Sequence, residues 1–237
     1  SRGLVGSEMC IRDRFNAWGD RSFDAPYGVW FDGDWDKPRL DDPAIQKGLS
    51  DYAGLMQAGP SDILSYNWNE AGNAFCNGQA AFFADASLFG PWFETDECPV
   101  SKGNTGYMAL PPQAKGGTSY TANWQWGIGM GANAQEKDAG WYFIQYMTNK
   151  ASEAVIGTFH GGAGRLSTWE NDSYTSTLNP DYVSATLESM KTVRTSVVPV
   201  KDFNKYALEI MDVILDIHGG ASSEDATAKG NANFKAM

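Results

Sequence analysis

Residues 122–135, ANWQWGIGMGANAQ, alternate two tryptophans with polar residues and then place three glycines at every second position, which raises the question of a phosphate cradle. A dinucleotide loop needs its third glycine three residues after the second, where the helix packs tightly on the strand. Here Gly127, Gly129 and Gly131 alternate, position 132 is Ala, and no Gly-Lys-Ser/Thr triplet for a P-loop occurs in the chain. Nucleotide binding is therefore not indicated. Period two belongs to a strand, so Trp124, Trp126, Ile128 and Met130 share one face and Gln125 with the three glycines the other. Glycine inside a strand marks close approach of another backbone or a bend, so the stretch reads as a strand with two indole rings at one end.

Hydrolytic chemistry finds little support. HGGAG at 160–164 is like the oxyanion loop of esterases, yet no G-x-S-x-G nucleophile elbow exists. His160 and His218 each close an expected helix, where a histidine serves the last carbonyls more often than catalysis. DGDWD, with Asp32, Asp34 and Asp36, starts like a calcium loop but has Lys37 at loop position six and Pro43 at position twelve. A glycosidase needs two carboxylates in opposed environments, and 29 acidic residues offer no reason to elect a pair. Asn171-Asp172-Ser173 is a formal sequon, which reads as a surface loop. Cys76 and Cys98 are too few for a zinc site and do not form a C-x-x-C pair; one disulfide or two buried thiols are both open.

Composition narrows the partners. A formal charge of -11 argues against nucleic acid or an anionic membrane surface, both of which require a basic footprint. With 237 residues, 42% of them hydrophobic, the chain can bury a core as one large domain or two small ones. Nine Trp, ten Tyr and twelve Phe are a heavy aromatic load, and stretches such as SYNWNEAG and TANWQW set rings among amides. Such surroundings suit sugars, whose C–H faces stack on rings while their hydroxyls take planar hydrogen-bond partners; core packing is the alternative. No apolar run reaches the length of about eighteen residues that a membrane helix needs, and no signal peptide is recognisable. The opening SRGLVGSEMCIRDR resembles a translated sequencing-adaptor remnant, so residues 1–14 are expected to be no part of the fold and the true N-terminus to be absent.

Helical and strand periods supply the elements that must position these residues. Residues 41–59 predict an amphipathic helix packed on a sheet, with Asp42 as N-cap, Pro43 at its first position, Gly59-Pro60 as its stop and a stripe of Ile45, Leu49, Tyr52 and Met56. Asn69–Asn77 predicts a second helix, QAAFFAD a buried strand delivering Asp85, and GYMALPP a short strand stopped by its prolines. Ala139, Tyr142, Phe143, Tyr146 and Met147 keep helical spacing, and a further helix from Ser152 closes at HGGAGR. In the tail Asn179-Pro180 opens one helix, FNKYALEIMDVILDIHGG forms another, and Ser222 or Ser223 caps a last one. No internal repeat or low-complexity linker interrupts this mixed α/β pattern.

Several stretches in chain order carry a resemblance to bacterial extracellular solute-binding proteins of ABC importers, within the maltose-binding cluster and nearest its sorbitol/mannitol-type branch. WFDGDWDKPRLDDPA is similar to the family's Trp-Phe-Asp stretch and the Asp-Ser-Pro that opens the next helix. FCNGQAAFFADAS resembles its Gly-Lys-x-Ala-Met strand, and KGNTGYMALPP its Gly-Tyr-x-x-x-Pro segment. WQWGIGMGANAQEKDAGWYFIQYMTNKAS resembles its Trp-x-Trp strand and following helix, and GRLSTWENDSY its Arg-x-Ser loop. The likeness runs over residues 25–237; Val29 stands where the family has Arg, and Gly131 where it has Pro.

The resemblance implies an α/β chain of the periplasmic-binding-protein type II-like two-lobe fold with its N-terminal lobe largely missing. Residues 15–122 would begin the C-terminal lobe, 123–170 would hold a hinge strand (123–131) and helices of the N-terminal lobe, and 171–237 would return to the C-terminal lobe. It further implies a binding protein rather than an enzyme, without cofactor or metal, that takes a polyol or sugar in an interlobe cleft and, closed on it, meets a membrane permease. A monomer is expected, periplasmic or extracellular, with a lipid anchor open. Trp124 and Trp126 are expected as stacking faces, Asp85 as bidentate acceptor for vicinal hydroxyls, Arg165 as a donor, and Trp30 and Asn123 as rim. Each has a structural alternative: core for the tryptophans, a surface ion pair for Arg165, a turn cap for Asp85. A glycosidase or a binding protein for a different small solute are the competing functions. Segment 127–170 would carry apolar faces, Trp141 and Phe143 included, intended for a lobe not encoded here, and is expected to expose them and to aggregate or stay partly molten.

Overall fold

The computed structural model describes residues 3–5, 29–112, 116–119, 121–123, 126–195 and 201–237. Its elements in chain order are β1 (Gly3–Val5), α1 (Pro43–Gln57), α2 (Trp68–Cys76), β2 (Ala80–Phe83), α3 (Phe89–Phe93), β3 (Thr121–Asn123), α4 (Lys137–Thr148), α5 (Lys150–His160), α6 (Leu166–Trp169), α7 (Asp172–Thr175), α8 (Pro180–Met190), β4 (Val193–Thr195), α9 (Phe203–His218) and α10 (Ser223–Lys235). The strands form two parallel pairs, β1 with β2 and β3 with β4, the latter in register Ala122↔Arg194.

Local chemistry sets the helix starts. Asp42 Oδ1 accepts the Ala44 N–H at 3.0 Å at the head of α1. At α2, Asn67 Oδ1 accepts from the Asn69 N–H at 2.9 Å while Glu70 Oε2 accepts the Asn67 N–H at 3.1 Å, a reciprocal capping box. Ser222 is the cap of α10, its Oγ accepting the Asp225 N–H at 3.0 Å. The long helices thus follow the sequence pattern to within a residue or two.

Contacts divide the chain into two compact units. Unit 1 holds Ser1–Asp85, Ala109–Trp124 and Ser189–Met237; unit 2 holds Ala86–Met108 and Gln125–Glu188. The core of unit 1 is built by α1, α9 and α10: Leu40, Ile45, Leu49, Val213 and Ile214 are buried, and Phe31 stacks on Phe234 at 5.6 Å between ring centroids. The α1 helix packs chiefly on α9, which offers the longest complementary apolar face, and also meets α10 and the strand β1. Gly230 permits the approach of α10, since a Cβ there would lie 2.6 Å from Val213 Cγ2 and 2.9 Å from Leu40 Cδ1.

Unit 2 is built around aromatic rings. Phe89 stacks on Phe93 at 5.7 Å, Trp169 meets Tyr174 edge-on at 5.5 Å, and Tyr107 meets Tyr182 edge-on at 5.5 Å. Burial, and then the hydrogen bond and charge of Glu94, hold the Tyr107 phenol well above its usual range. Its hydroxyl lies 3.0 Å from Glu94 Oε1 and 3.1 Å from the Gly90 carbonyl.

Several expectations are corrected. GYMALPP is not a strand: residues 106–112 pair with nothing among the described residues, and Pro111 and Pro112 have no N–H to give a ladder. Of the strand expected at 123–131, Asn123 lies in β3, residues 124 and 125 lie outside the described residues, and residues 126–131 follow an irregular path. The glycines there mark no close approach, since a Cβ at Gly127, Gly129 or Gly131 would meet nothing within 4 Å. A strand is stable only against a partner, and period two alone supplies none. Gly3–Val5, in the segment expected to lie outside the fold, pairs with β2, as a short apolar run does when an open parallel edge is offered.

Candidate functional site

The six expected ligand residues meet different fates. Trp124 lies outside the described residues. Asn123 ends β3, in register with Thr195. Trp30, expected at a rim, is only 1% exposed in the core of unit 1, where it joins Val29 and Phe31 beneath α1 and α9. A ring so covered has no face to offer a solute. Trp126 is the opposite case, 74% exposed on the irregular segment after β3.

Asp85 lies half-buried two residues beyond β2, at the end of the first segment of unit 1. Its Oδ1 accepts a hydrogen bond from Trp68 Nε1 at 2.8 Å. Trp68 was not among the expected residues. The only hint in the sequence was its place in the amide-rich SYNWNEAG.

Arg165 ends a tightly tied loop in unit 2. Gly161 and Gly162 take positive φ, 62° and 66°, which lets the chain leave α5 and turn at once. The Gly162 N–H reaches Tyr182 Oη at 3.2 Å, the Gly164 N–H reaches Glu153 Oε1 at 2.8 Å, and Trp169 Nε1 donates to the Ala163 carbonyl at 2.8 Å. Glu153 also takes Arg165 Nε at 3.2 Å through Oε2, while Arg165 Nη2 donates to the Thr148 carbonyl at 2.6 Å. The side chain remains 48% exposed, so the guanidinium is anchored along one edge and open to solvent elsewhere. Glu153 was likewise missed, because a loop that returns to its own preceding helix leaves no spacing rule to read.

Among the expected residues, Trp30, Asp85 and Asn123 fall in unit 1 and Trp126 and Arg165 in unit 2. Taken one by one, Trp126 offers an exposed ring, Asp85 a carboxylate held by an indole N–H, and Arg165 a half-exposed guanidinium. No group of three or more metal-ligating side chains occurs among the described residues. No described helix is long and apolar enough to cross a membrane.

Known proteins give these features a context. Residues 14–154 match the family model of the bacterial extracellular solute-binding proteins. The chain is 29% identical over 200 residues to a mannitol-binding protein of Pseudomonas aeruginosa, covering 78% of this chain and 44% of that one. A solute-binding protein of an ABC transporter from Agrobacterium radiobacter K84, solved in complex with ribitol, matches with a TM-score of 0.79 and 18% identity, over 100% of this chain and 59% of that one. Another from Agrobacterium vitis S4, with bound D-mannitol, matches with a TM-score of 0.79 and 19% identity, over 99% of this chain and 60% of that one. The chain thus spans less than half of the curated relative's length, and carries part of the two-lobe fold of type II periplasmic-binding proteins. With more than half of its residues matched by one family model, the chain belongs to the bacterial extracellular solute-binding proteins.

Proposed function

We propose that this chain is part of the substrate-binding component of an ABC importer for a polyol or sugar, periplasmic or extracellular, which binds its solute and delivers it to a membrane permease without making or breaking a bond. The observation that carries this reading is the match along the whole chain to folds solved with ribitol and D-mannitol, joined to sequence identity with a mannitol-binding protein. An acyclic polyol is the favoured ligand. The lobe assignment is part of the proposal: residues 15–122 and 171–237 in the C-terminal lobe, 123–170 as hinge segment and N-terminal-lobe helices. The protein acts as a monomer, and a lipid anchor is compatible with the reading.

In this proposal Trp126 and Trp124 stack on the C–H faces of the ligand, Asp85 accepts from vicinal hydroxyls, Arg165 donates, and Asn123 lies at the rim. Support comes from the open ring of Trp126 and from the anchored but half-exposed guanidinium of Arg165. Trp30 is not in the set, because it is core. Titration calorimetry with D-mannitol, ribitol and maltose tests the reading. Saturable polyol binding, weakened by Trp126→Ala and accompanied by no chemical change in the solute, supports it. Cleavage of a glycoside, or no binding of any of the three, counts against it.

A further inference from the structure

The start of α2 and the end of β2 bring together two side chains separated by 17 positions: Trp68 Nε1 donates to Asp85 Oδ1 at 2.8 Å. The backbone of Trp68 is held by the Asn67–Glu70 capping box directly before it. Both side chains are half-buried. The elements that carry them are already joined by apolar contacts, with Ala71, Ala74 and Ala80 buried together and Phe75 against Phe83 at 5.8 Å. A polar staple is therefore not what makes α2 and β2 pack.

The chemistry of the contact is directional. Indole is a donor only, and a hydrogen bond to a carboxylate is stronger and more orienting than one between neutral groups. A carboxylate free to rotate must be frozen when a ligand arrives, whereas one held in advance has met that entropic cost on folding. We propose that Trp68 is a positioning residue of the polyol site, its indole N–H fixing the Asp85 carboxylate in the orientation that accepts vicinal hydroxyls. This rests on the reading of Asp85 as a ligand acceptor.

The test compares the chain with Trp68→Phe, Asp85→Asn and the double variant, by calorimetric Kd for D-mannitol and by the indole N–H signals in NMR without ligand. Phe keeps most of the ring but removes the donor. The expected result is a Kd raised roughly tenfold in Trp68→Phe with the circular dichroism unchanged. Asp85→Asn should raise it at least as much, and the double variant should be no weaker than Asp85→Asn alone, since one residue acts through the other. The Trp68 indole signal should also move in ligand-free Asp85→Asn. A Trp68→Phe variant with wild-type Kd beside a weakened Asp85→Asn overturns the proposal alone, leaving a mere staple. Additive losses overturn it too, placing Trp68 on the ligand itself, and an unmoved indole signal denies the bond. Absence of a mannitol isotherm, or wild-type affinity in Asp85→Asn, defeats the underlying reading of the site and the proposal with it.

Discussion

Gly90 in α3 lies so close under the ring of Tyr182 that a Cβ at position 90 would sit 2.3 Å from both Cδ2 and Cε2. The Tyr182 ring is itself buried, packed by Tyr107 and Trp169, and cannot swing away. Gly90→Ala is therefore expected to destabilise the fold by about 1–3 kcal/mol through overpacking. Gly54 in α1 has nothing within 4 Å of its Cβ position, so Gly54→Ala should instead stabilise by roughly 0.5–1 kcal/mol through helix propensity. Urea unfolding of both variants checks the contrast, and equal effects would show that the space around the two glycines is misjudged.

Two helices of unit 2, α4 and α5, leave large apolar side chains exposed. Trp141, Tyr142, Phe143 and Tyr146 of α4 and Val155 and Phe159 of α5 are all exposed, and α4 buries no residue at all. Large apolar side chains grouped in this way on a surface favour association. The isolated chain should bind a hydrophobic dye and associate with rising concentration in sedimentation velocity. Replacing Tyr142 and Phe159 by Lys should reduce both; a dilution-independent monomer without dye binding would reject the expectation.

Alkaline stability should reflect the buried phenols. Burial raises the Tyr182 phenol, and burial with Glu94 raises that of Tyr107. The unfolded chain releases these protons near the ordinary tyrosine value of about 10, while the folded chain keeps them. The unfolded state then binds fewer protons, so the contribution is complete below about pH 10 and is lost as pH rises beyond it. Thermal midpoints should fall above that pH, less steeply in Tyr107→Phe, with phenolate absorbance appearing on unfolding. An identical slope in Tyr107→Phe would remove Tyr107 from the account.

Cys76 and Cys98 are both disulfide-bonded and buried, which settles the alternatives that the sequence left open. Thiol titration of the unfolded chain should count two more thiols after reduction than before it. Reduction should cost about 2–4 kcal/mol of stability. Three reactive thiols before reduction would contradict the bonded state.

Much of the helical framework was written in local sequence. Asp42 and Pro43 announce α1, Asn67 and Glu70 announce α2, and Ser222 announces α10, because a helix closes its hydrogen bonds within a few residues and its caps are neighbours in the chain. The family, too, was legible, since its landmarks keep their order along the chain. Tertiary structure alone decided the rest. Residues 106–112 and 126–131 have strand-like patterns yet form no strand, because a strand needs a partner that period two cannot supply. Trp30 and Trp126 look alike as residues, but α1 and α9 close over the first while nothing among the described residues covers the second. Two polar pairs, Trp68 with Asp85 in unit 1 and Glu153 with Arg165 in unit 2, join positions 17 and 12 apart through the meeting of separate elements. Contacts of that kind depend on where whole elements pack, and no rule of local spacing encodes them.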